Sequence, residues 1–534
     1  MVAPGKGRST KRRKGALNSK MKILFVYPDD TRGRFKPIGI ALLSAILKRE
    51  GHEVSVFDQS DYVFETPGDK AGVDLLLFKR FTYPPHLKFV PTKSVEEGFR
   101  EAVNSFQPDI LAFSVTYLLF NNALKLVRSL GKRQVPTIFG GIHVTLNPDD
   151  VISRDEVDIL CRGEGEEPFV ELLERMQNGQ DITDIPNIWV KSKGRIFRNE
   201  MRPMRETLDD LPLADWSVFP DHHFYKPYVG RIYRGGDIIV SRGCYNSCSY
   251  CFYHAYYQAY GMRKHKVLFM SPKRAMEEIR NLAVNYGATL IKLRDADFAA
   301  RSEEDLQEMT RLSKELGPRM PKLLCNVYHG HVTREKARLM RELNMVSVSV
   351  GLESGSDELR RTCLNRRANN DKFYLVSKWF RDEGIRLTTS NMIGLPYETR
   401  ENIFETIEVN RKAEVDLADV SILYPFPGTR IHDFCKELGL LKRDLSQQSY
   451  YRGEPVLDMP QISRSELQGM MRTFQLYMNS PRWFFPFIRP AERESPSGLL
   501  YLKLLQKVFY VYIFHFRQIF RAMKRSLNGA EGHS

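Results

Sequence analysis

Two long stretches of this chain alternate short apolar strands with amphipathic helices, and this alternation restricts the possible folds more than any other feature. In the first stretch, residues 22–180, an apolar run is followed by a turn-rich loop and then by the amphipathic helix Ile38–Glu50. Short buried strands separated by helices indicate an α/β fold with a doubly wound, Rossmann-like parallel sheet. We predict its strands at Lys22–Tyr27, Glu53–Phe57, Asp109–Ser114, Thr137–Phe139 and Val157–Cys161.

The second stretch, residues 236–430, contains six further strand–helix units. Six such units predict a partial, TIM-like (β/α)6 barrel, in which chemistry takes place at the carboxyl ends of the strands. The strands are predicted at Asp237–Ser241, Thr289–Leu293, Leu323–Val327, Ser347–Leu352, Arg386–Ile393 and near Asp419–Tyr424. The helices are predicted at Pro272–Tyr286, Glu303–Leu316, Arg334–Leu343, Lys372–Glu383 and Arg400–Lys412.

The remaining segments complete a division into five parts. We predict a basic flexible arm at residues 1–20, the Rossmann-like domain at 21–180, a proline-rich connector at 181–235, the barrel at 236–430, and a small, mostly helical region that sets substrate specificity at 431–534. The net charge is +15, but residues 1–20 and 495–530 contain seven and six basic residues and no acidic one. The body of the chain is therefore close to neutral, which argues against a nucleic-acid-binding groove.

The C-terminal helix, within residues 499–525, is basic and aromatic. At 100° per residue its six basic side chains share one face, whereas Leu502, Leu505 and Phe509 lie largely on the other. Lys503 and Lys507 interrupt the apolar run, so the helix is a poor candidate to span a bilayer. Two interpretations stay open: contact with an anionic membrane surface, or docking on the barrel with a solvated basic face.

Three of the seven cysteines lie within eight residues, and an odd number does not suggest a disulfide framework. This spacing favours a metal site in a reducing compartment. Residues 1–20 are basic but lack the apolar core of a signal peptide. We therefore predict a cytoplasmic protein, with possible peripheral contact to the inner membrane surface.

The three cysteines, Cys244, Cys248 and Cys251, follow the first barrel strand with the spacing C-x3-C-x2-C. Three thiolates can hold three irons of a four-iron cluster and leave the fourth iron open to a substrate or cofactor. The alternative is structural zinc, for which His254 would supply the fourth ligand.

The cysteine motif resembles that of the radical S-adenosylmethionine (SAM) superfamily, and Tyr250 matches the aromatic residue before its third cysteine. The resemblance implies a [4Fe-4S] cluster whose open iron is chelated by SAM. It also implies reductive cleavage of SAM to methionine and a 5′-deoxyadenosyl radical.

Four further segments resemble motifs of this superfamily in the expected order at strand ends. The resemblance implies that Asp297 lies near the methionine moiety, Glu353 near the ribose hydroxyls, Asn391 within reach of the ribose, and Glu398 in a turn that shapes the adenine pocket. Tyr424-Pro-Phe-Pro-Gly-Thr429 resembles the segment on the closing strand.

The Rossmann-like domain before the barrel resembles that of the cobalamin-binding branch of the superfamily. Its loops lie at the carboxyl edge of the sheet, where ligands bind in such folds. The implied cofactor-binding residues are Ser114, Gly140, Gly141, His143 and Gly163. The first loop lacks the Asp-x-His-x-x-Gly motif that supplies a lower cobalt ligand in methionine synthase-type domains. The alternative is an inherited domain that binds no cofactor.

The resemblance implies a cobalamin-dependent radical SAM enzyme, most simply a methyltransferase acting on an unactivated carbon. An anaerobic oxidative cyclase acting on a tetrapyrrole or another large apolar substrate is the alternative enzyme. A non-catalytic zinc or iron–sulfur interaction protein is the alternative of another class. The expected partners are a small apolar substrate and an electron donor such as flavodoxin or ferredoxin, and no nucleic acid.

Overall fold

A computed structural model describes residues 20–29, 37–62, 93–132, 135–442, 445 and 453–513. Residues 1–19 of the predicted basic arm and the last 21 residues, with four of the six basic positions of the C-terminal helix, lie outside this range.

The first sheet has seven strands in the order β2-β1-β3-β4-β5-β6-β7. The first five of these are parallel, and β6 and β7 are antiparallel additions at one edge. The strands are β1 Lys22–Tyr27, β2 Glu53–Asp58, β3 Ile110–Ser114, β4 Thr137–Gly140, β5 Ile159–Cys161, β6 Ile188–Ser192 and β7 Arg195–Arg198.

Helices cover both faces of this sheet, as the doubly wound prediction requires. Along β1, Ile23 and Phe25 belong to one apolar cluster, while Leu24 and Val26 belong to another on the opposite face. The helices are α1 Ile38–Arg49, α2 Val95–Phe106, α3 Tyr117–Ser129, α4 Ile142–Leu146, α5 Pro148–Ser153 and α6 Glu166–Gln177.

The second sheet has the order β16-β15-β14-β13-β12-β9-β8. Six neighbouring strands are parallel and follow chain order, which is the partial barrel expected from the sequence, and β8 is an antiparallel edge. The strands are β8 Tyr225–Tyr228, β9 Arg231–Ile238, β12 Leu290–Leu293, β13 Lys322–Val327, β14 Met345–Glu353, β15 Arg386–Ile393 and β16 Leu417–Ile422, and a separate hairpin pairs β10 Ser241–Gly243 with β11 Val267–Phe269.

The helices of the barrel and of the C-terminal region follow in chain order. They are α7 Phe252–Ala259, α8 Pro272–Arg280, α9 Glu303–Ser313, α10 Arg334–Glu342, α11 Asp357–Thr362, α12 Asn370–Asp382, α13 Arg400–Lys412, α14 Arg430–Glu437, α15 Arg464–Asn479, α16 Phe485–Ile488 and α17 Pro496–Val511.

The predicted connector, residues 181–235, is more ordered than its sequence indicated. Strands β6 and β7 extend the first sheet, while β8 and the start of β9 belong to the second. The first barrel strand accordingly ends at Ile238, and the prediction of a strand at Asp237–Ser241 was wrong because Ser241 begins the hairpin strand β10. Trp216, within the connector, is fully buried in an apolar cluster that runs from β1 into the barrel. The two domains therefore share one continuous core.

The C-terminal region packs on barrel helix α13. Arg400 forms an ion pair with Glu492, and Arg411 donates hydrogen bonds to the carbonyls of Tyr477 and Met478 at the end of α15. A cation at a helix carboxyl terminus satisfies carbonyls that have no intrahelical partner. Among the described residues, no helix combines the length and apolarity needed to cross a bilayer.

Candidate active site between the two sheets

The three cysteines lie on the loop that leaves the first barrel strand through β10. Gly243, directly before Cys244, has a φ of 101°, and a β-carbon there would collide with the Tyr257 hydroxyl and the Lys266 carbonyl. Cys251 precedes the first residue of α7. The hairpin and the helix thus fix both ends of the cysteine loop.

Burial makes two of these cysteines, Cys244 and Cys251, poor thiolates on their own. It raises the pKa of Cys251 to about 12 and also raises the pKa of Cys244. Asn246 lies near the Cys244 sulfur, with its Nδ2 atom at 3.6 Å. A positively charged metal centre would supply the compensation that lets such buried thiols ionise.

The geometry of the loop argues against the zinc alternative. In the described part of the chain, only Asp61, His222 and His223 form a group of three metal-ligating side chains whose donor atoms all lie within 4.8 Å of one another. The three cysteine sulfurs do not form such a group, so at least two of them lie farther apart than this. Three sulfurs on one zinc ion would lie roughly 3.8 Å apart, given Zn–S bonds of about 2.3 Å. In addition, the Nδ1 atom of His254 lies 3.0 Å from His265 Nε2, so this histidine interacts with another imidazole.

Two residues predicted from motifs meet beside the cysteines. The hydroxyl of Tyr250 donates a 2.8 Å hydrogen bond to Glu353 at the end of β14. Arg366, which no motif indicated, lies 3.1 Å from the Tyr250 hydroxyl and 3.4 Å from the Cys248 sulfur, and it also donates to the Gly351 carbonyl. The buried guanidinium therefore connects a predicted cluster ligand to the predicted SAM-binding strand end.

Glu353 is held in an uncommon backbone conformation. Its φ is 68°, and the pairing of β14 with β15 shifts register between Gly351 and Glu353. Burial raises the pKa of Glu353 although Arg366 opposes the shift. Non-glycine residues with positive φ concentrate at functional sites, where the surrounding structure maintains them.

Asp297 lies in the loop that follows β12, and it organises this loop. Its carboxylate accepts hydrogen bonds from the Tyr328 and Ala299 amides and lies 2.5 Å from His331 Nδ1. Neighbouring Asp295 bonds to Ser241 and is deeper in the barrel. The contacts of Asp297 link the ends of β12 and β13.

Asn391 and Glu398 bond within the barrel wall. The Asn391 amide group donates to the Asp419 carbonyl and accepts from Asn410 on α13, so it faces the helix layer. Glu398 accepts from the Gly394 and Leu395 amides and closes the turn after β15. Burial raises the pKa of Glu398 to about 8. None of these hydrogen bonds connects either residue to the cysteine loop, and their contact with a cofactor stays a prediction.

A cavity of about 320 Å³ separates the carboxyl edge of the first sheet from the cysteine loop. Ser114, Gly140, Gly141 and Gly163 line it from the first domain, and Gly243 lines it from the second. Phe252, Tyr253 and Tyr256 of α7 form the wall on the barrel side. Four of the five residues predicted for cobalamin contact thus border one cavity beside the predicted cluster site.

Close backbone packing shapes this cavity. A β-carbon on Gly141, whose φ is 107°, would lie 2.5 Å from the Val115 carbonyl oxygen. The Gly163 amide donates to Thr145 at 2.9 Å. By contrast, the nearest described atom to a β-carbon on Gly140 would lie 3.9 Å away. The backbone is therefore accessible at Gly140, which fits the approach of a bulky nucleotide cofactor.

The fifth residue, His143, lies within α4 and packs edge-on against Tyr117 and Phe120. It does not line the cavity. Its Nδ1 lies 3.3 Å from Asn147, and its Nε2 has no hydrogen-bond partner among the described residues. Burial lowers the pKa of His143 to about 4, so the ring is neutral. A role in cofactor binding stays a prediction.

Two ion pairs couple the domains at the mouth of the cavity. Arg242, two residues before Cys244, lies 3.0 Å from Glu164 and 2.5 Å from Glu166 of the first domain. Burial alone would raise the pKa of Glu166. The positive charge and the hydrogen bond of Arg242 act in the opposite direction, and the pKa lies below its ordinary value.

Comparison with protein families supports both halves of this site. Residues 238–409 match the Radical SAM superfamily, and residues 85–173 match the B12 binding domain. The Radical SAM match contains all three cysteines together with Glu353 and Arg366. It excludes the prediction of a non-catalytic interaction protein.

Relatives and solved structures align with most of this chain. The uncharacterized methyltransferase PH0819 of Pyrococcus horikoshii is 24% identical over 85% of this chain and 91% of its own length. The anaerobic magnesium-protoporphyrin IX monomethyl ester cyclase of Rubrivivax gelatinosus is 23% identical over 89% of this chain and 80% of its own length. The solved radical SAM methyltransferase TsrM from Kitasatospora setae, with tryptophan and a SAM analogue, has the same fold with a TM-score of 0.66 at 14% identity, and covers 95% of this chain and 100% of its own. The chain therefore carries a radical SAM domain, which contains the cysteine loop, and a B12 binding domain that precedes it.

Proposed function

We propose that this protein is a cobalamin-dependent radical SAM methyltransferase that adds a methyl group to an unactivated carbon of a small molecule. The proposal rests on the cavity that lies between the carboxyl edge of the first sheet and the two ends of the cysteine loop. Relatives named as methyltransferases support this function. When bound, the cluster and SAM would supply the radical, and cobalamin would supply the methyl group.

The residues of this chain would hold and orient these groups. Cys244, Cys248 and Cys251 would bind three irons. Arg366 would balance the thiolate charge and orient Tyr250. The aromatic wall of α7 would exclude water from the space between the cofactors. We also propose flavodoxin or ferredoxin as the electron donor.

The test uses full-length protein reconstituted anaerobically with iron, sulfide and cobalamin. It is incubated with methyl-labelled SAM, a reductant and a small-molecule extract of the source cells. We expect 5′-deoxyadenosine together with label in a new extractable compound. The absence of 5′-deoxyadenosine from a preparation with full iron and cobalamin content would overturn the proposal.

An oxidative cyclase is the second candidate, because cyclases are among the relatives that align with most of this chain. The same experiment separates the two functions. A cyclase would form 5′-deoxyadenosine and a product that has lost hydrogen, but that product would carry no labelled methyl group.

We further propose that α17 contacts an anionic membrane surface. Part of this helix is docked on the protein, because Leu502 and Leu505 are buried and α17 packs on the turn Arg489–Glu492 and on α15. A different apolar stripe stays exposed, beside exposed Lys503 and Lys507. The exposed apolar side chains of this surface are Leu500, Leu504, Val508, Trp483 and Phe487, with exposed fractions between 54% and 72%. Apolar side chains flanked by lysines suit an interfacial helix.

Liposome sedimentation tests this contact with vesicles that contain phosphatidylserine. We expect the double variant Leu504→Glu, Val508→Glu to lose most of its binding. The matched control is Leu375→Glu, which changes an exposed leucine on barrel helix α12. Equal sedimentation of the wild type and the double variant would exclude this surface.

A further inference from the structure

A cluster of two histidines and two aspartates lies outside the cavity and has no part in the proposed reaction. The Nε2 atoms of His222 and His223 lie 2.6 and 2.9 Å from the same carboxylate oxygen of Asp61. On its other side, the Nδ1 atom of His223 lies 3.5 Å from Asp58. We propose that Asp61, His222 and His223 bind a divalent transition-metal ion, and that Asp58 orients His223 as an outer-sphere partner.

The ligands come from two parts of the chain that the fold brings together. Asp58 ends β2, and Asp61 lies in the short helical turn Gln59–Tyr62 that follows it. The histidines lie in another short turn, Asp221–Phe224, directly before β8. Such a site would fasten the start of the barrel to the edge strand of the first sheet.

The 3.5 Å contact between His223 and Asp58 resembles an outer-sphere contact of known metal sites. A metal-bound histidine commonly donates its other ring N–H to a carboxylate, which fixes the tautomer and the ring orientation. Asp58 is placed for this role, because its Oδ1 atom accepts the Ser60 amide at 2.8 Å and its Oδ2 faces His223. Asp58 and His223 are both buried, so this outer contact is shielded from water.

The charges and the ligand types favour a transition metal. Two carboxylates within reach of two imidazoles carry a formal charge of −2 when the rings are neutral, and a divalent ion balances it. Two imidazole nitrogens and one carboxylate oxygen suit Zn²⁺, with a fourth position left for water. Magnesium and calcium prefer oxygen ligands and would bind this set poorly. His222 and Asp61 are partly exposed, which provides a path for the ion.

The neighbouring Asp221 does not compete for this role. It lies 2.6 Å from Arg234, which balances its charge. The site also differs from the cysteine loop in both ligand type and spacing.

The experiment measures zinc in the reconstituted holoenzyme, in which iron occupies the cysteines. After dialysis against micromolar zinc and removal of excess metal, elemental analysis should find about one zinc ion per chain in the wild type. His222→Asn and Asp61→Asn should reduce zinc occupancy at least about tenfold, and Asp58→Asn should weaken zinc affinity about 10- to 100-fold. The matched control, His432→Asn, removes a surface histidine that also pairs with an aspartate, and it should retain the zinc.

Thermal unfolding of the wild type provides a second test, which does not depend on whether the variants fold. Zinc should raise the unfolding midpoint of the wild-type holoenzyme, and EDTA should reverse this rise. Wild-type protein that binds no zinc, or His222→Asn and Asp61→Asn variants with wild-type zinc content, would overturn the proposal.

Discussion

At the residue scale, the site depends on a buried cation that no sequence motif revealed. Arg366 contacts the sulfur of Cys248, a predicted cluster ligand, the hydroxyl of Tyr250 and a backbone carbonyl of β14. Its guanidinium also lies over the Tyr328 ring, with 4.8 Å between Cζ and the ring centroid. A planar group with several donors can satisfy all these partners at once, whereas a lysine ammonium cannot.

We therefore expect Arg366→Met to lower both cluster content and stability. The change leaves buried Glu353 without its cation, which costs about 3 kcal/mol of unfolding free energy. Iron per chain after anaerobic reconstitution and urea unfolding of the apoprotein measure the two effects. Arg366→Lys should be intermediate, and Arg361→Met, on the exposed side of α11, should behave as wild type. Normal iron content and stability in Arg366→Met would refute this role.

His143 should make the protein less stable in mild acid. Its folded pKa of about 4 lies below the ordinary value, so the unfolded chain takes up this proton first as the pH falls. Its contribution is complete above pH 6.5 and is lost as the pH falls toward 4. Between pH 7.5 and pH 5 the loss is about 2 kcal/mol.

Urea unfolding of His143→Phe at these two pH values measures this effect. The variant should show a pH-dependent loss about 2 kcal/mol smaller than that of the wild type. The matched control is His432→Asn, which removes a partly exposed histidine on α14. An unchanged pH dependence in His143→Phe would show that the ring is not held neutral.

At the element scale, two consecutive glycines have different roles where β4 leads into α4. Gly141 needs its conformation, since a side chain would strain the backbone and collide with Val115. Gly140 has space around it and lines the cavity. Gly141 therefore permits the turn, while Gly140 leaves room for a ligand.

We expect Gly141→Ala to lower the unfolding free energy by about 1–3 kcal/mol. Gly140→Val should leave stability within about 1 kcal/mol of wild type but reduce cobalamin binding, because its side chain projects into the cavity. Urea unfolding and cobalamin retention on gel filtration distinguish the two. A Gly140→Val protein that retains cobalamin as wild type does would place the cofactor elsewhere.

At the scale of the whole molecule, Arg242 connects the cysteine loop to the first domain. Its partner Glu164 lies on the loop between β5 and α6, and its partner Glu166 begins α6; both line the cavity. Buried pairs are screened less by salt than exposed ones, so this coupling should persist at physiological ionic strength.

Arg242→Gln should weaken cobalamin binding about tenfold or more, because removing one partner leaves buried carboxylates uncompensated. Iron content should stay normal, since the cysteines are retained. Arg205→Gln is the matched control: Arg205 also forms two ion pairs nearby, but its partners Glu167 and Asp210 are exposed. A parallel loss of iron in Arg242→Gln would indicate general unfolding instead of uncoupling.

The amino-acid sequence by itself determined the two strand–helix arrays, the cysteine motif and the order of the strand-end segments. These features are local. Alternating apolar residues specify strand faces, and the cysteine spacing fits on one loop. The predictions of β1 and β15, for example, agree with the structure at both ends.

Only the tertiary structure decided which distant residues meet. Arg366 reaches Cys248 across 118 residues, and His222 reaches Asp61 across 161. Strands β6 and β7 escaped prediction because they are short, and because β6 joins the sheet by pairing with β5, on the other side of helix α6 in the chain, while β7 pairs with β6. Asn391 was predicted to reach the ribose because it lies just before the segment 394–399, yet its amide oxygen accepts a hydrogen bond from Asn410 on α13. Contacts of this kind depend on how packed elements are juxtaposed, and periodicity along the chain carries no information about them.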